Sequence, residues 1–280
     1  MKTIDWLNER EFTIDGVKFY CALDDYSQRT NAARVVILKD RGSLEAYASV
    51  FADAPPRTML EFGIFQGGSP TLFSLWFELD KFVGVDLSMP ALAFETFCRS
   101  HEVGRRIRSY YGTSQTDQER IEQIVRDEFG DTPLDVVIDD ASHQYSLSRR
   151  TFEIAFPLLR PGGTYVIEDW GWAHWPNSDV FVGETAMSML VMEIMMLCAS
   201  RSDLISELRV FPSFAFIRKS PDATGMSNFS LDRAYAKRGI ELVGLNHTNL
   251  SGVARLLREH VGNRARQELQ RVVQLLRRGN

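Results

Sequence analysis

Two pairs of adjacent acids, Asp139-Asp140 and Glu168-Asp169, each close a short apolar run, and His143 follows the first pair. Four carboxylates gathered in a partly dry cleft would repel one another strongly. Such a group calls for a positive partner, yet no lysine lies near either pair in the sequence. All-oxygen ligation suits a hard divalent cation: Mg²⁺, Mn²⁺ or Ca²⁺. Asp140, Glu168 and Asp169 are the expected ligands. Asp139 points the other way on an alternating strand, so it faces either the interior or a cofactor. A bound cation acidifies a substrate hydroxyl, and a histidine titrating near neutrality can take the proton. His143 is therefore the expected general base, with a fourth metal ligand as its rival role.

Further upstream the chain reads EFGIFQGGS, with Glu61, Gly63, Gly67 and Ser69 in one short turn. Glycines there let the backbone approach a ligand closely, and the amides of a following helix offer a weakly positive end. The spacing is neither the G-x-G-x-x-G of dinucleotide enzymes nor a phosphate-cradling loop, which would end in Gly-Lys-Ser or Gly-Lys-Thr. Asp86 closes the next apolar run, 23 residues after Gly63. An acid at that place can accept hydrogen bonds from both hydroxyls of a ribose.

The elements that must position these residues alternate regularly. Short apolar runs at 58–62, 81–86, 107–112, 134–139 and 164–169 predict strands. Amphipathic or apolar stretches at 69–79, 89–101, 117–129 and 146–159 predict helices between them. This is the pattern of parallel strands covered on both faces, a doubly wound α/β sheet. Two further strands, 207–211 and 214–219, are separated only by Pro212-Ser213 and must pair antiparallel. Ahead of the sheet, EFTIDGVKFY alternates about Asp15-Gly16 and predicts a hairpin. Ser43 is the expected cap of a helix that ends before Pro55-Pro56. The tail from Asn249 predicts one or two amphipathic helices. The expected organisation is an N-terminal lid or oligomerisation segment at 1–56, a core at 57–220 and a C-terminal helical extension at 221–280.

Bulk properties narrow the partners. A net charge of −5 argues against a nucleic-acid surface, which wants a basic face. The three cysteines are far apart and form no C-x-x-C, as expected in a reducing cytosol. The N-terminal MKTIDWLNER has no apolar run of a secretory signal. The most apolar stretch, 186–199, holds five of the nine methionines but is short for a membrane span and carries Glu193. A soluble, cytoplasmic protein is expected.

LEFGIFQGGS, the VGVD that follows, and YYGTSQTD after the third strand together resemble class I S-adenosylmethionine-dependent methyltransferases over about residues 57–219. The resemblance implies a Rossmann-like seven-stranded sheet with one antiparallel strand. It implies Glu61 and Gly63 near the methionine part of S-adenosylmethionine, Asp86 on its ribose, and Ser114 and Gln115 near its adenine. Phe65 stands where the commonest family turn has a glycine. Asp140, His143 three residues later, and the Glu168-Asp169 pair are similar to the metal-dependent sugar O-methyltransferases of natural-product pathways, a group that shares its pattern with cephalosporin-hydroxylase-like proteins. That resemblance implies Mg²⁺, a glycosylated acceptor and a homo-oligomer. Trp170, Trp172 and Trp175 crowd the loop after the acids, where indole faces stack on sugars or on flat aromatic aglycones. The competing expectations are a metal-dependent phenol or catechol O-methyltransferase and a cofactor-binding oligomer without turnover. A redox hydroxylase lacks the second histidine of a facial triad.

Overall fold

A computed structural model describes residues 1–23, 25–175, 185–224 and 226–234. The chain opens with a four-stranded sheet in sequence order: β1 (Asp5–Trp6), β2 (Glu11–Ile14), β3 (Val17–Cys21) and β4 (Val35–Ile37). Asp15 and Gly16 both take positive φ, 54° and 78°, the backbone that a two-residue hairpin turn demands between β2 and β3. β4 then adds parallel to β3, so the expected hairpin is part of a larger mixed sheet. Helix α1 (Arg41–Phe51) follows. Its cap is Asp40, not Ser43: the Asp40 carboxylate accepts from the Ser43 amide at 2.8 Å and from its hydroxyl at 2.7 Å. A carboxylate placed before the helix reaches the free first-turn amide, while Ser43 already lies inside that turn.

The second sheet carries the alternation read from the sequence. In chain order come β5 (Thr58–Phe62), α2 (Gly68–Trp76), β6 (Lys81–Val85), α3 (Leu92–Ser100), β7 (Ile107–Tyr110) and α4 (Gln118–Phe129). Then follow β8 (Val136–Asp139), α5 (Tyr145–Ala155), β9 (Thr164–Glu168), α6 (Ser188–Ser200), β10 (Ile205–Val210), β11 (Phe214–Lys219) and the short α7 (Leu231–Ala234). The seven strands lie in the order β10-β11-β9-β8-β5-β6-β7, and β11 runs antiparallel to both its neighbours. Every residue of β5, β8 and β9 is buried, which is why these strands read as unbroken apolar runs. One apolar cluster joins the sheet to α2, α1 and the N-terminal sheet through Tyr47, Phe73, Phe12 and Phe19. The other face packs α4, α5 and α6 around Phe152, Tyr165 and Ile194.

This topology decides where a ligand can lie. Strand order reverses at β5, which has β6 on one side and β8 on the other, and such a switch opens a crevice beyond the carboxyl ends. Register aligns those ends: Phe62 pairs with Asp139, and Asp139 with Ile167. The residues just past them, Gly63, Asp140 and Glu168-Asp169, therefore come to one rim.

Of the expected C-terminal extension, only 221–224 and 226–234 are described, and the predicted tail helices lie outside the described residues. No described helix is long and apolar enough to cross a membrane.

Candidate active site

The turn after β5 brings backbone against backbone. Gly63 has φ 86°, and a Cβ built there would stand 2.1 Å from the Asp140 carbonyl oxygen, so only glycine permits this approach. Phe65, in the place of the common family glycine, also takes positive φ, 44°, a strained conformation for a large side chain. Asp86 holds the strained turn. Its Oδ2 accepts from the amides of Ile64 at 2.8 Å and Phe65 at 3.0 Å, while Oδ1 accepts from the amide and hydroxyl of Ser88. Glu61 is fully buried beneath the turn, and its Oε2 accepts from the Ser69 hydroxyl at 2.6 Å. Its other oxygen, Oε1, is buried with no hydrogen-bond partner. Burial raises the Glu61 carboxyl well above the usual range, against the opposing pull of Lys39.

The acids past β8 and β9 meet in two overlapping triads. Oxygens of Asp140 and Asp169 and a ring nitrogen of His143 lie within 4.8 Å of one another; so do oxygens of Glu61, Asp140 and Glu168. Asp140 belongs to both. Glu168 and Asp169 diverge because successive residues at a strand end point to opposite sides. The expected trio of Asp140, Glu168 and Asp169 thus surrounds Asp140 from two directions instead of closing on one point.

A positive partner is present, and the sequence reading missed it. Lys39, between β4 and α1, donates to Glu168 Oε2 at 2.5 Å and to Asp140 Oδ2 at 3.1 Å. Tyr47 of α1 donates its hydroxyl to Glu168 Oε1 at 2.5 Å. No local signal could have found them, since 129 residues separate Lys39 from Glu168. Burial alone would push the lysine down; Asp140, Glu168 and Glu61 outweigh it and raise it above the ordinary lysine value. Glu168 is pushed up to about 7, by burial first and by Asp140 second, although Lys39 pulls the other way. A single ammonium thus stands among three carboxylates, those of Asp140, Glu168 and Glu61.

His143 stands on the outer side. Its Nε2 is 4.0 Å from Asp140 Oδ1, and Trp172 packs edge-on against its ring with centroids 5.2 Å apart. His143 and Asp169 both have positive φ, 52° and 54°, as side chains held in place for function often do. Burial raises the Asp169 carboxyl, and the nearby His143 offsets part of the rise.

A cavity of about 510 Å³ joins these parts. Gly63, Phe65 and Ser69 line it together with Lys39, Asp140, His143, Glu168 and Asp169. Trp172, Trp175, Leu23 and Tyr26 line it too. Trp170 instead turns inward and donates its indole N–H to the Phe211 carbonyl at 2.8 Å. Asp86 and Ser114 lie off this cavity, Ser114 hydrogen-bonded to Thr116. Of its two expected directions, Asp139 takes the interior. It is 2% exposed and accepts from Gln115 Nε2 at 3.2 Å. Gln115, expected near an adenine, is thereby committed to Asp139 and to Thr151 at 2.8 Å.

Residues 60–170 match the family model described as a methyltransferase domain. The relatives are sugar O-methyltransferases of macrolide and tetracenomycin pathways. The chain is 38% identical over 111 residues to mycinamicin VI 2''-O-methyltransferase of Micromonospora griseorubida, which is 40% of this chain and 25% of that one. It is 34% identical over 111 residues to demethylmacrocin O-methyltransferase of Streptomyces fradiae, with the same coverage. The matches thus span about a quarter of each relative's length. Among solved structures, MycE methyltransferase from the mycinamycin biosynthetic pathway, in complex with Mg and SAH, is similar at 29% identity and a TM-score of 0.50. That match covers 65% of this chain and 50% of MycE. The complex of MycE with Mg, SAH and mycinamycin VI gives 28% identity, a TM-score of 0.50 and the same coverage.

Proposed function

We propose that this protein is an S-adenosylmethionine- and Mg²⁺-dependent O-methyltransferase that modifies a sugar hydroxyl of a glycosylated natural product. The observation that carries the reading is the single cavity in which the glycine turn meets Asp140, His143 and Asp169. The names of the similar proteins support the donor, the ion and the acceptor class.

The side chains fit a divalent ion. Carboxylate oxygens and an imidazole nitrogen cluster within 4.8 Å, negative charge exceeds the one lysine, and Glu61 Oε1 is buried without a partner. Asp140 would hold it, joined by Asp169 on one side or by Glu168 on the other. Glu61, Gly63, Gly67, Ser69, Asp86 and Ser114 would shape the donor site. S-adenosylmethionine supplies an electrophilic methyl, and a bound Mg²⁺ supplies charge that acidifies the acceptor hydroxyl.

The chain's own residues do the rest. His143 Nε2 would take the acceptor hydroxyl proton as the oxygen receives the methyl group that S-adenosylmethionine supplies. Asp140 and Asp169 sit beside the imidazolium that forms and stabilise its charge. Trp172 fixes the ring edge-on, so the base keeps its aim. Trp172, Trp175 and Tyr26 give the acceptor flat surfaces on which to stack. Residues 1–56 act as a lid over the acceptor, and the enzyme works as a cytoplasmic homo-oligomer.

Mass spectrometry tests the reading directly. Candidate glycosides incubated with S-adenosylmethionine and Mg²⁺ should gain one methyl, and a chelator should stop the gain. Methylation of phenols alone would move the acceptor class. Turnover indifferent to the chelator would remove the ion.

A further inference from the structure

The methyl-transfer reading leaves Lys39 without a task. Its side chain is only 5% exposed, and its two nearest contacts are oxygens of Asp140 and Glu168, carboxylates assigned above to the ion. The second oxygen of Glu168 is taken by Tyr47. Beside them, a Glu61 carboxylate oxygen lies within 4.8 Å of oxygens of Asp140 and Glu168, and Glu61 Oε1 is buried without a hydrogen-bond partner. This pocket is built for more positive charge than one ammonium provides. A hard divalent ion coordinates carboxylate oxygens at about 2.0–2.6 Å. An ammonium already at 2.5 Å from Glu168 and 3.1 Å from Asp140 fills that space, and two cations so close repel.

We propose that Lys39 is a competing cation built into the N-terminal segment: its ammonium and a divalent ion exclude each other from the Asp140 and Glu168 oxygens. The inference rests on the metal-dependent reading and deepens it. Lys39 then sets how tightly the ion binds, and loading the ion means withdrawing the flexible lysine stem. Leu38, Lys39 and Asp40 all line the acceptor cavity, so the exchange reshapes one of its walls. Lys39 is a positioning residue here and acts through the ion.

Mn²⁺ binding to the full chain, read by its free-ion electron paramagnetic resonance signal, tests this without turnover. Lys39→Met should bind Mn²⁺ at least about tenfold more tightly than wild type, since a nearby like charge has gone. Lys39→Arg, which keeps the charge, should stay near wild type. Wild-type protein gives an independent check: amine labelling of Lys39, read by peptide mass spectrometry, should rise several-fold when Mn²⁺ is added. Equal Mn²⁺ affinity in wild type and Lys39→Met, or labelling unchanged by Mn²⁺, would overturn the competition while leaving the metal-dependent transfer in place. Wild type that binds no Mn²⁺ at millimolar concentration would remove both.

Discussion

Lys39 Nζ lies 2.5 Å from Glu168 Oε2, joining the N-terminal segment to the end of strand β9 across 129 residues of chain. Both side chains are at most 5% exposed. The acid rim is therefore completed only when the first segment docks on the sheet. Glu168→Gln should lower stability by about 1–3 kcal/mol, because a buried lysine loses one of its two ionic partners. Urea denaturation with a chelator present measures it. No change in midpoint would show the pair to be idle.

His143→Ala should lower kcat by about 10²–10⁴-fold, the usual worth of a positioned base. The affinity for S-adenosylhomocysteine should stay within a few-fold, since no donor contact is assigned to this side chain. Stopped assays and calorimetry separate the two quantities. An unchanged kcat would take the base role from His143.

Asp86→Ala should weaken S-adenosylhomocysteine binding by about 10- to 100-fold. The carboxylate accepts from the amides of Ile64 and Phe65 and so holds the strained Phe65 turn before any ribose arrives. Two charge-assisted hydrogen bonds are lost from the turn, and about 1.4–2.8 kcal/mol of that loss reaches the donor site. Isothermal titration reads the loss. Wild-type affinity would mean that another group takes the ribose and that the turn stands unaided.

Asp139 makes folding sensitive to pH. Burial raises its carboxyl from 3.8 to about 6, outweighing the hydrogen bonds and the His143 charge that lower it. The folded protein then keeps a proton that the unfolded chain has released. Stability should fall as pH rises from about 4 to about 6, by on the order of 3 kcal/mol in total. Asp139→Asn should remove that share of the slope and leave the share of Glu61, Glu168 and Asp169, which burial also raises, as followed by denaturation midpoints at a series of pH values with a chelator present. A slope as steep as that of wild type would take the effect from Asp139.

The order of strands and helices was legible because each buried strand is a short apolar run and α3, α4 and α5 each carry a 3.6-residue pattern. Those are local consequences of burial on two faces and on one. The Asp-Gly hairpin was legible for a similar reason, since few dipeptides accept two successive positive φ values. So were Asp140, His143, Glu168 and Asp169 as a group, because they stand just past strands that must end together.

Direction and partnership were decided elsewhere. Asp139 turned to the interior and Gln115 went with it, because β8 is covered by α5 on that side. Glu168 and Asp169 parted at the strand end, one toward Lys39 and Tyr47 and the other toward His143. Residue types and spacing thus determined the sheet and the rim of acids, since both follow from interactions within a few residues. Which charge answers which acid was left to tertiary structure, because a lysine far away in the chain meets its carboxylates only after two sheets have packed.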